Sequence, residues 1–288
     1  MLASAPSDVE VLVVDNASTD RTRSVVDQFR AALPIRYFFE PTSGVSRARN
    51  HALRVARGTW ILWTDDDVDV GLGWLDAYRL AIDQFPEAVL FGGAVYPRLA
   101  IQPSLRIMRF LSLYPQMFAL IDPGPGAVKV AMSRTPHGAS MMVRAAALGG
   151  MTFDVRLGVS GQRRLLGEET ILLESLLARP GGTGYWVAGA GVHHRLPAER
   201  LTTAFVRRWA IGAGHSRVIM GRPADLAHRL PARLWVHQVR QALRNLLLGG
   251  LGSAFTLGDR RIRSQIRWWS SRGQLAQLWY QALRKSDG

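Results

Sequence analysis

Three consecutive carboxylates, Asp65-Asp66-Asp67, follow the apolar run Trp60–Trp63 (WILW). Adjacent carboxylates repel one another, so such a triplet persists where something cationic compensates it, commonly a hard divalent ion. In an extended segment alternate residues point the same way, so Asp65 and Asp67 can share a direction and a metal. A carboxylate-held Mg²⁺ or Mn²⁺ with open positions can bridge two phosphates and neutralise charge on a departing diphosphate. The same residues also suit a helix N-cap followed by an acidic first turn. A second acidic pair, Glu168-Glu169, follows Gly167. There a predicted helix begins, and the pair is either an acidic first turn or a general base for an attacking hydroxyl. His193-His194 follow a predicted strand; an imidazole there can reach a metal or serve as a satisfied structural residue.

These groups need elements to carry them. Residues 9–14 (VEVLVV) read as a buried strand that ends in the turn-and-cap cluster 15–20 (DNASTD). Helices are expected over 21–33, 43–57 and 73–85, and strands over 35–39, 60–63 and 88–92. This alternation implies a mainly parallel sheet with helices on both faces. In such folds ligands bind beyond the carboxyl ends of the strands, where both polar clusters fall. Residues 97–136, rich in proline, read as an irregular, mobile insertion near the site. Residues 138–143 read as a strand returning to the sheet, 167–178 as a helix, and 181–192 as a loop and strand.

After His194 the pattern becomes helical. Arg233, His237, Arg240 and Arg244 make one stripe, and Trp235, Val239, Ala242, Leu243 and Leu246 another. Ile262, Ile266 and Trp269 repeat this, with Arg260, Arg263 and Arg267 on another face. The formal charge of +14 sits almost wholly here: residues 200–288 hold 16 basic and 3 acidic side chains. Five of the nine tryptophans lie in the same third. Arginine with tryptophan suits an anionic membrane surface or nucleic acid; no recognisable nucleic-acid-binding module accompanies them, so no nucleic acid is expected. No run of about 18 charge-free apolar residues exists to span a bilayer, the longest candidate being 246–257. Without cysteine, disulfides and thiolate metal sites are excluded. With no basic-then-apolar signal pattern at the start, a cytoplasmic location is expected.

The ordered set VEVLVVDNASTD, GVSRARNHALRVARGTWILWTDDD, HGASMMVRAAALGGMTFD, GEET and VHHRLPAER resembles the family 2 glycosyltransferases, over residues 9–208, about two-thirds of the chain. The resemblance implies an α/β GT-A fold: a Rossmann-like, mostly parallel mixed sheet flanked by helices, here with a basic helical C-terminal extension. It implies inverting sugar transfer from a nucleoside-diphosphate sugar to a saccharide or lipid-linked acceptor, with Mg²⁺ or Mn²⁺. It matches Asp15 to the aspartate that contacts the base, with Asn16 beside it, and brings Arg47 or Arg49 near the base or phosphates. Asp65, Asp66 and Asp67 take the DXD position, with Asp65 and Asp66 on the donor and Asp65 and Asp67 on the metal. Gly138, Ala139 and Ser140 match the acceptor segment. Glu169 takes the place of the catalytic base, an aspartate in most members, with Glu168 in reserve, and His193 that of a metal-ligating histidine.

The expected domains are a glycosyltransferase region over residues 1–200 and a basic amphipathic helical extension over 201–288. Within the first, residues 1–96 are expected to bind the nucleotide and residues 97–200 the acceptor. The chain departs from the family in starting eight residues before the first recognised strand. Family members place another strand, with a Pro-Thr-Tyr-Asn-like turn, and a helix ahead of it. Met1-Leu2-Ala3-Ser4 resembles the tail of that helix, so a truncated chain with exposed strand edges and low activity is expected. The rival readings are an inactive glycosyltransferase-like protein, a nucleotidyltransferase, for which a Gly-rich, Lys-containing phosphate loop is missing, and a basic nucleic-acid-binding protein.

Overall fold

The computed structural model describes residues 8–161, 163–221 and 232–283, so the tetrapeptide 1–4 lies outside the described residues. The chain forms two compact units. One comprises residues up to 98 with 119–161 and 168–195; the other comprises 99–118, 162–167 and 196 onward.

In the first unit, β1 (Val11–Asp15), α1 (Thr22–Phe29) and β2 (Ile35–Phe39) form a parallel β-α-β unit with Val11 opposite Ile35. Then follow α2 (Val45–Val55), β3 (Trp60–Trp63), β4 (Val68–Val70), α3 (Trp74–Gln84), β5 (Leu90–Gly92) and β6 (Val95–Leu99). Among the described residues β1 pairs only with β2, and the ladder partner of β3 is β7 (Met141–Arg144). The two sheets are tied at one end by Glu10, whose carboxylate accepts from the Arg57 backbone N–H at 2.6 Å and from Arg36 at 2.5 Å.

The main sheet runs β10-β5-β7-β3, where β10 is Gly184–Trp186. Strands β5 and β10 are parallel, but β7 is antiparallel to both β5 and β3. The sheet is therefore mixed, less parallel than expected, because β7 returns between two strands that the sequence presents in one direction. Successive residues of a strand face opposite sides. Leu90, Met141 and Val143 accordingly pack with Trp63, Phe153, Leu172, Leu173 and Leu176 on one side, and Phe91 and Met142 with Tyr78 and Ala81 on the other. These two cores seat α6 (Glu168–Leu177) and α3 on opposite faces. A second sheet, β4-β11-β6, brings β11 (Val192–Leu196) alongside β4.

The 97–136 stretch is more regular than its prolines suggest. It contains α4 (Leu105–Leu113), where the Ser104 hydroxyl accepts from the Ile107 N–H at 3.4 Å and Ile107 and Phe110 are buried. Residues 99–118, expected with the acceptor-binding residues, belong to the second unit. After β7 come α5 (Ala145–Leu148), β8 (Val159–Ser160) and β9 (Arg163–Arg164).

The second unit is dominated by α7 (Thr203–Met220), α8 (Ala232–Phe255) and α9 (Gly258–Leu283). The expected stripes appear: His237, Arg240, Arg244, Arg260, Arg263 and Arg267 are exposed, while Ala242, Ile262 and Trp269 are buried. Leu243 departs from its stripe and faces solvent; the side chain of Arg233 lies outside the described residues.

Candidate active site

All the sequence-nominated residues lie in the first unit. Asp15 ends β1 with its side chain buried. One carboxylate oxygen accepts from the Tyr37 hydroxyl at 2.6 Å and the other from the Ser18 N–H at 2.9 Å. Burial alone would raise its pKa; the hydrogen bonds from Tyr37 and Ser18 outweigh burial and hold it below the ordinary value. Asn16, nominated for the donor, has its side chain engaged within the protein. Its amide nitrogen donates to the Thr42 carbonyl at 2.8 Å and its oxygen accepts from the Gly44 N–H at 2.6 Å, fixing the turn that starts α2.

Two residues apart on a helix means about 200° of rotation, so Arg47 and Arg49 of α2 point to different sides. Arg47 is exposed on the first turn, whereas Arg49 is buried. The Arg49 guanidinium gathers three carboxylates: Glu169 at 2.8 Å, Glu168 at 3.1 Å and Asp65 at 3.6 Å. It also lies 5.5 Å from the centre of the Phe153 ring. Burial would lower its pKa, but Glu169, Asp65 and Glu168 together shift it upward, so it stays a fixed cation.

Glu168 and Glu169 occupy the first turn of α6, as the acidic-first-turn reading expects. Glu168 is buried; desolvation first, then the Glu169 charge, pushes its pKa up to about 7 against the pull of Arg49. Glu169 is more open, and its Oε1 also accepts from the Gly138 N–H at 2.8 Å. A Cβ at 138 would run into the Arg49 guanidinium and the Glu169 carboxylate, so both side-chain ends would have to shift. Asp65, half-buried at the end of β3, has its pKa raised, mainly by burial, with Glu169 and Asp67 adding to that and Arg49 opposing it.

The triple aspartate forms the turn between β3 and β4, which removes the helix-cap alternative. Asp66 is exposed, and its carbonyl accepts from Arg195 at 3.1 Å. Asp67 lies 3.2 Å from Nε2 of His194, which is only 3% exposed. Of the two adjacent histidines it is His194, not the nominated His193, that meets an aspartate of the triplet. His193 lies on the other face of β11, exposed, with its ring against Tyr96. The signal was present in VHHRL: His194 alternates with Val192 and Leu196, the two apolar residues of the buried face.

Among the described residues no three His, Asp or Glu side chains converge as a closed metal cage. The donor set still fits a Mg²⁺-type ion, which typically takes one or two carboxylates and completes its shell with substrate phosphates and water. Asp67, partly exposed beside the buried His194 imidazole, with Asp65 two residues earlier, is such an open set.

The acceptor segment is largely structural. The Ser140 hydroxyl is fully buried among Trp74 Nε1 (3.0 Å), the Tyr78 hydroxyl (2.8 Å) and the Ala190 carbonyl (2.8 Å), and Ala139 is buried beside it. Gly138, against Glu169, is the member of the segment that touches the cluster.

Residues 1–122 match the family model described as Glycosyl transferase family 2. The succinoglycan biosynthesis protein ExoM of Rhizobium meliloti (strain 1021) is 29% identical over 259 residues, covering 86% of this chain and 72% of that protein. Validoxylamine A glucosyltransferase of Streptomyces hygroscopicus subsp. limoneus is 41% identical over 69 residues, 23% of this chain and 15% of that protein. Among solved structures, the mannosyltransferase PcManGT from Pyrobaculum calidifontis, in complex with GDP-Man and Mn²⁺, aligns with a TM-score of 0.54 at 20% identity. That alignment covers 94% of this chain and 78% of PcManGT. S. aureus TarS 1-349 in complex with UDP-GlcNAc aligns at 0.50 and 15% identity, over 96% and 84% of the two chains. At these identities the structures speak to the fold, which is GT-A. The chain is thus similar to the family 2 glycosyltransferases over residues 1–122 and shares their fold.

Proposed function

We propose that the protein transfers a sugar from a nucleoside-diphosphate sugar to a hydroxyl of a saccharide or lipid-linked acceptor, with inversion, in the assembly of a cell-surface polysaccharide. The observation that carries this is the gathering of Glu169, Glu168 and Asp65 around Arg49 beside the Asp67–His194 pair. The kinship with ExoM supports a polysaccharide product, and the GDP-Man and UDP-GlcNAc held by PcManGT and TarS support the donor class.

Glu169 is the base. The Gly138 N–H and Arg49 hold its carboxylate in place and aim it. It takes the proton from the acceptor hydroxyl, whose oxygen attacks the anomeric carbon as the bond to the diphosphate breaks. Glu168, pushed up to about 7, is only partly ionised near neutrality, which lightens the negative charge that competes with Glu169 for Arg49. Arg47, exposed at the N-terminal turn of α2, meets the phosphates, and Asp15 the base. Asp65, Asp67 and His194 would hold Mg²⁺ or Mn²⁺. When bound, the ion would neutralise charge developing on the departing diphosphate. The basic second unit supports work in the cytoplasm on the inner face of the membrane, with peripheral contact to anionic lipid.

Incubation with UDP- and GDP-sugars and oligosaccharide acceptors, read by release of nucleoside diphosphate and by NMR of the product's anomeric centre, tests this. An inverted linkage is expected. A retained configuration, or no donor bound or turned over, would overturn it.

A further inference from the structure

The second unit carries an apolar ridge that its own packing leaves uncovered. On α8, Leu243, Leu247, Leu251 and Phe255 recur every four residues and so share one face. All four are exposed; Leu247 is 66% and Phe255 83% open to solvent. Leu257, in the turn to α9, is also 83% exposed, and Leu248 flanks the ridge. The reason lies on the opposite side of the helix. A Cβ at Gly249 would meet the backbone of Trp268 at 2.7 Å and of Ser264 at 2.9 Å, and Gly252 abuts the Ser264 side chain. These glycines draw α9 against the small-residue side of α8, which turns the leucines outward.

The surroundings of the ridge identify what it meets. Arg240 and Arg244 are exposed on α8 ahead of it, and Arg260 and Arg261 are exposed just beyond Leu257. Residues 232–283 hold eight arginines and a single acidic residue, Asp259. Two copies of so basic a surface repel one another, whereas an anionic one attracts it. None of the described helices is long and apolar enough to cross a membrane. A short apolar ridge bordered by arginines is the pattern of an element that lies in the plane of a lipid interface. The tryptophans contribute little, since of the five in residues 200–288 only Trp279 is exposed.

We infer that the α8–α9 turn docks on an anionic lipid bilayer: Phe255, Leu257, Leu251 and Leu247 enter the headgroup–acyl boundary, and Arg240, Arg244, Arg260 and Arg261 pair with lipid phosphates. This rests on, and localises, the peripheral membrane contact proposed above. It does not depend on the catalytic reading, because vesicle binding is measured without substrate.

The test is co-sedimentation of the full chain with phosphatidylcholine vesicles, with and without phosphatidylglycerol, across a salt series. Circular dichroism monitors folding, and Leu80→Ser, an exposed leucine on α3, is the control. Wild type and control should sediment with the anionic vesicles and not with the neutral ones. Phe255→Ser with Leu257→Ser should weaken partitioning on the order of a hundredfold. Arg260→Gln with Arg261→Gln should weaken it about tenfold and flatten its salt dependence. Three results would each overturn the assignment. One is unchanged sedimentation of the folded Phe255/Leu257 variant. Another is equal binding to neutral vesicles. The third is a dimer in light scattering that this variant dissolves while wild type ignores lipid, which would give the ridge to a second copy.

Discussion

Replacing Glu168 by Gln should change how stability depends on pH. The Glu168 carboxyl is pushed from an ordinary 4.5 up to about 7, first by burial and then by the charge of Glu169. A group with a raised folded-state pKa contributes stability that is fully present below pH 4.5 and is lost as the pH rises to about 7. A displacement of that size corresponds to about 3 kcal/mol. Glutamine keeps the shape and an oxygen for Arg49, which bonds Glu168 at 3.1 Å, but carries no charge to desolvate. Urea unfolding followed by circular dichroism at pH 5 and pH 8 would compare the two proteins. Relative to wild type, Glu168→Gln should gain about 1–3 kcal/mol between those conditions. The raised carboxyl of Asp65 is present in both proteins and enters the difference only through its weaker coupling to Glu168. Stability profiles that stay parallel from pH 5 to pH 8 would refute the argument that burial and Glu169 hold Glu168 protonated.

Arg49→Met leaves Glu168, Glu169 and Asp65 without their shared cation, and should cost about 3–5 kcal/mol in urea unfolding; a loss under about 1 kcal/mol would contradict the cluster. Gly138→Ala drives a methyl group into Arg49 and Glu169, so transfer should fall about a hundredfold while donor affinity, by calorimetry, changes little. Among the described residues the β1–β2 sheet has two strands, and its residues are half-buried apart from Asp15 and the exposed Phe39. Its amides should exchange with deuterium well before those of β5 and β7, and equal protection would show that the two sheets open as one unit.

Local patterns carried much of this architecture. The short apolar runs before the polar clusters marked β1 and β3, and the glycine before Glu168-Glu169 marked the start of α6. The partner and direction of each strand were less legible. Nothing in MMVR states that Met141 and Met142 serve opposite cores, or that β7 returns antiparallel between β5 and β3. The site was legible as residue types and not as contacts. Arg49 stood beside Arg47 as an equal alternative until helix rotation separated a buried arginine from an exposed one. Asn16 and Ser140 were nominated by family position; their hydrogen bonds to turns and carbonyls arise from tertiary packing, which no local pattern records. That His194 and not His193 is the buried histidine was legible from alternation, since it shares a face with Val192 and Leu196.

The central claim is that Glu169 removes the acceptor proton while Asp65 and Asp67 serve the donor side. It is tested most directly by comparing wild type with Glu169→Gln in two assays on one preparation: single-turnover sugar transfer, and calorimetric binding of the nucleoside-diphosphate sugar. Transfer should fall at least about a hundredfold, with the donor Kd unchanged within about threefold. A variant that transfers at close to the wild-type rate, or that loses donor binding in proportion to turnover, would contradict the assignment.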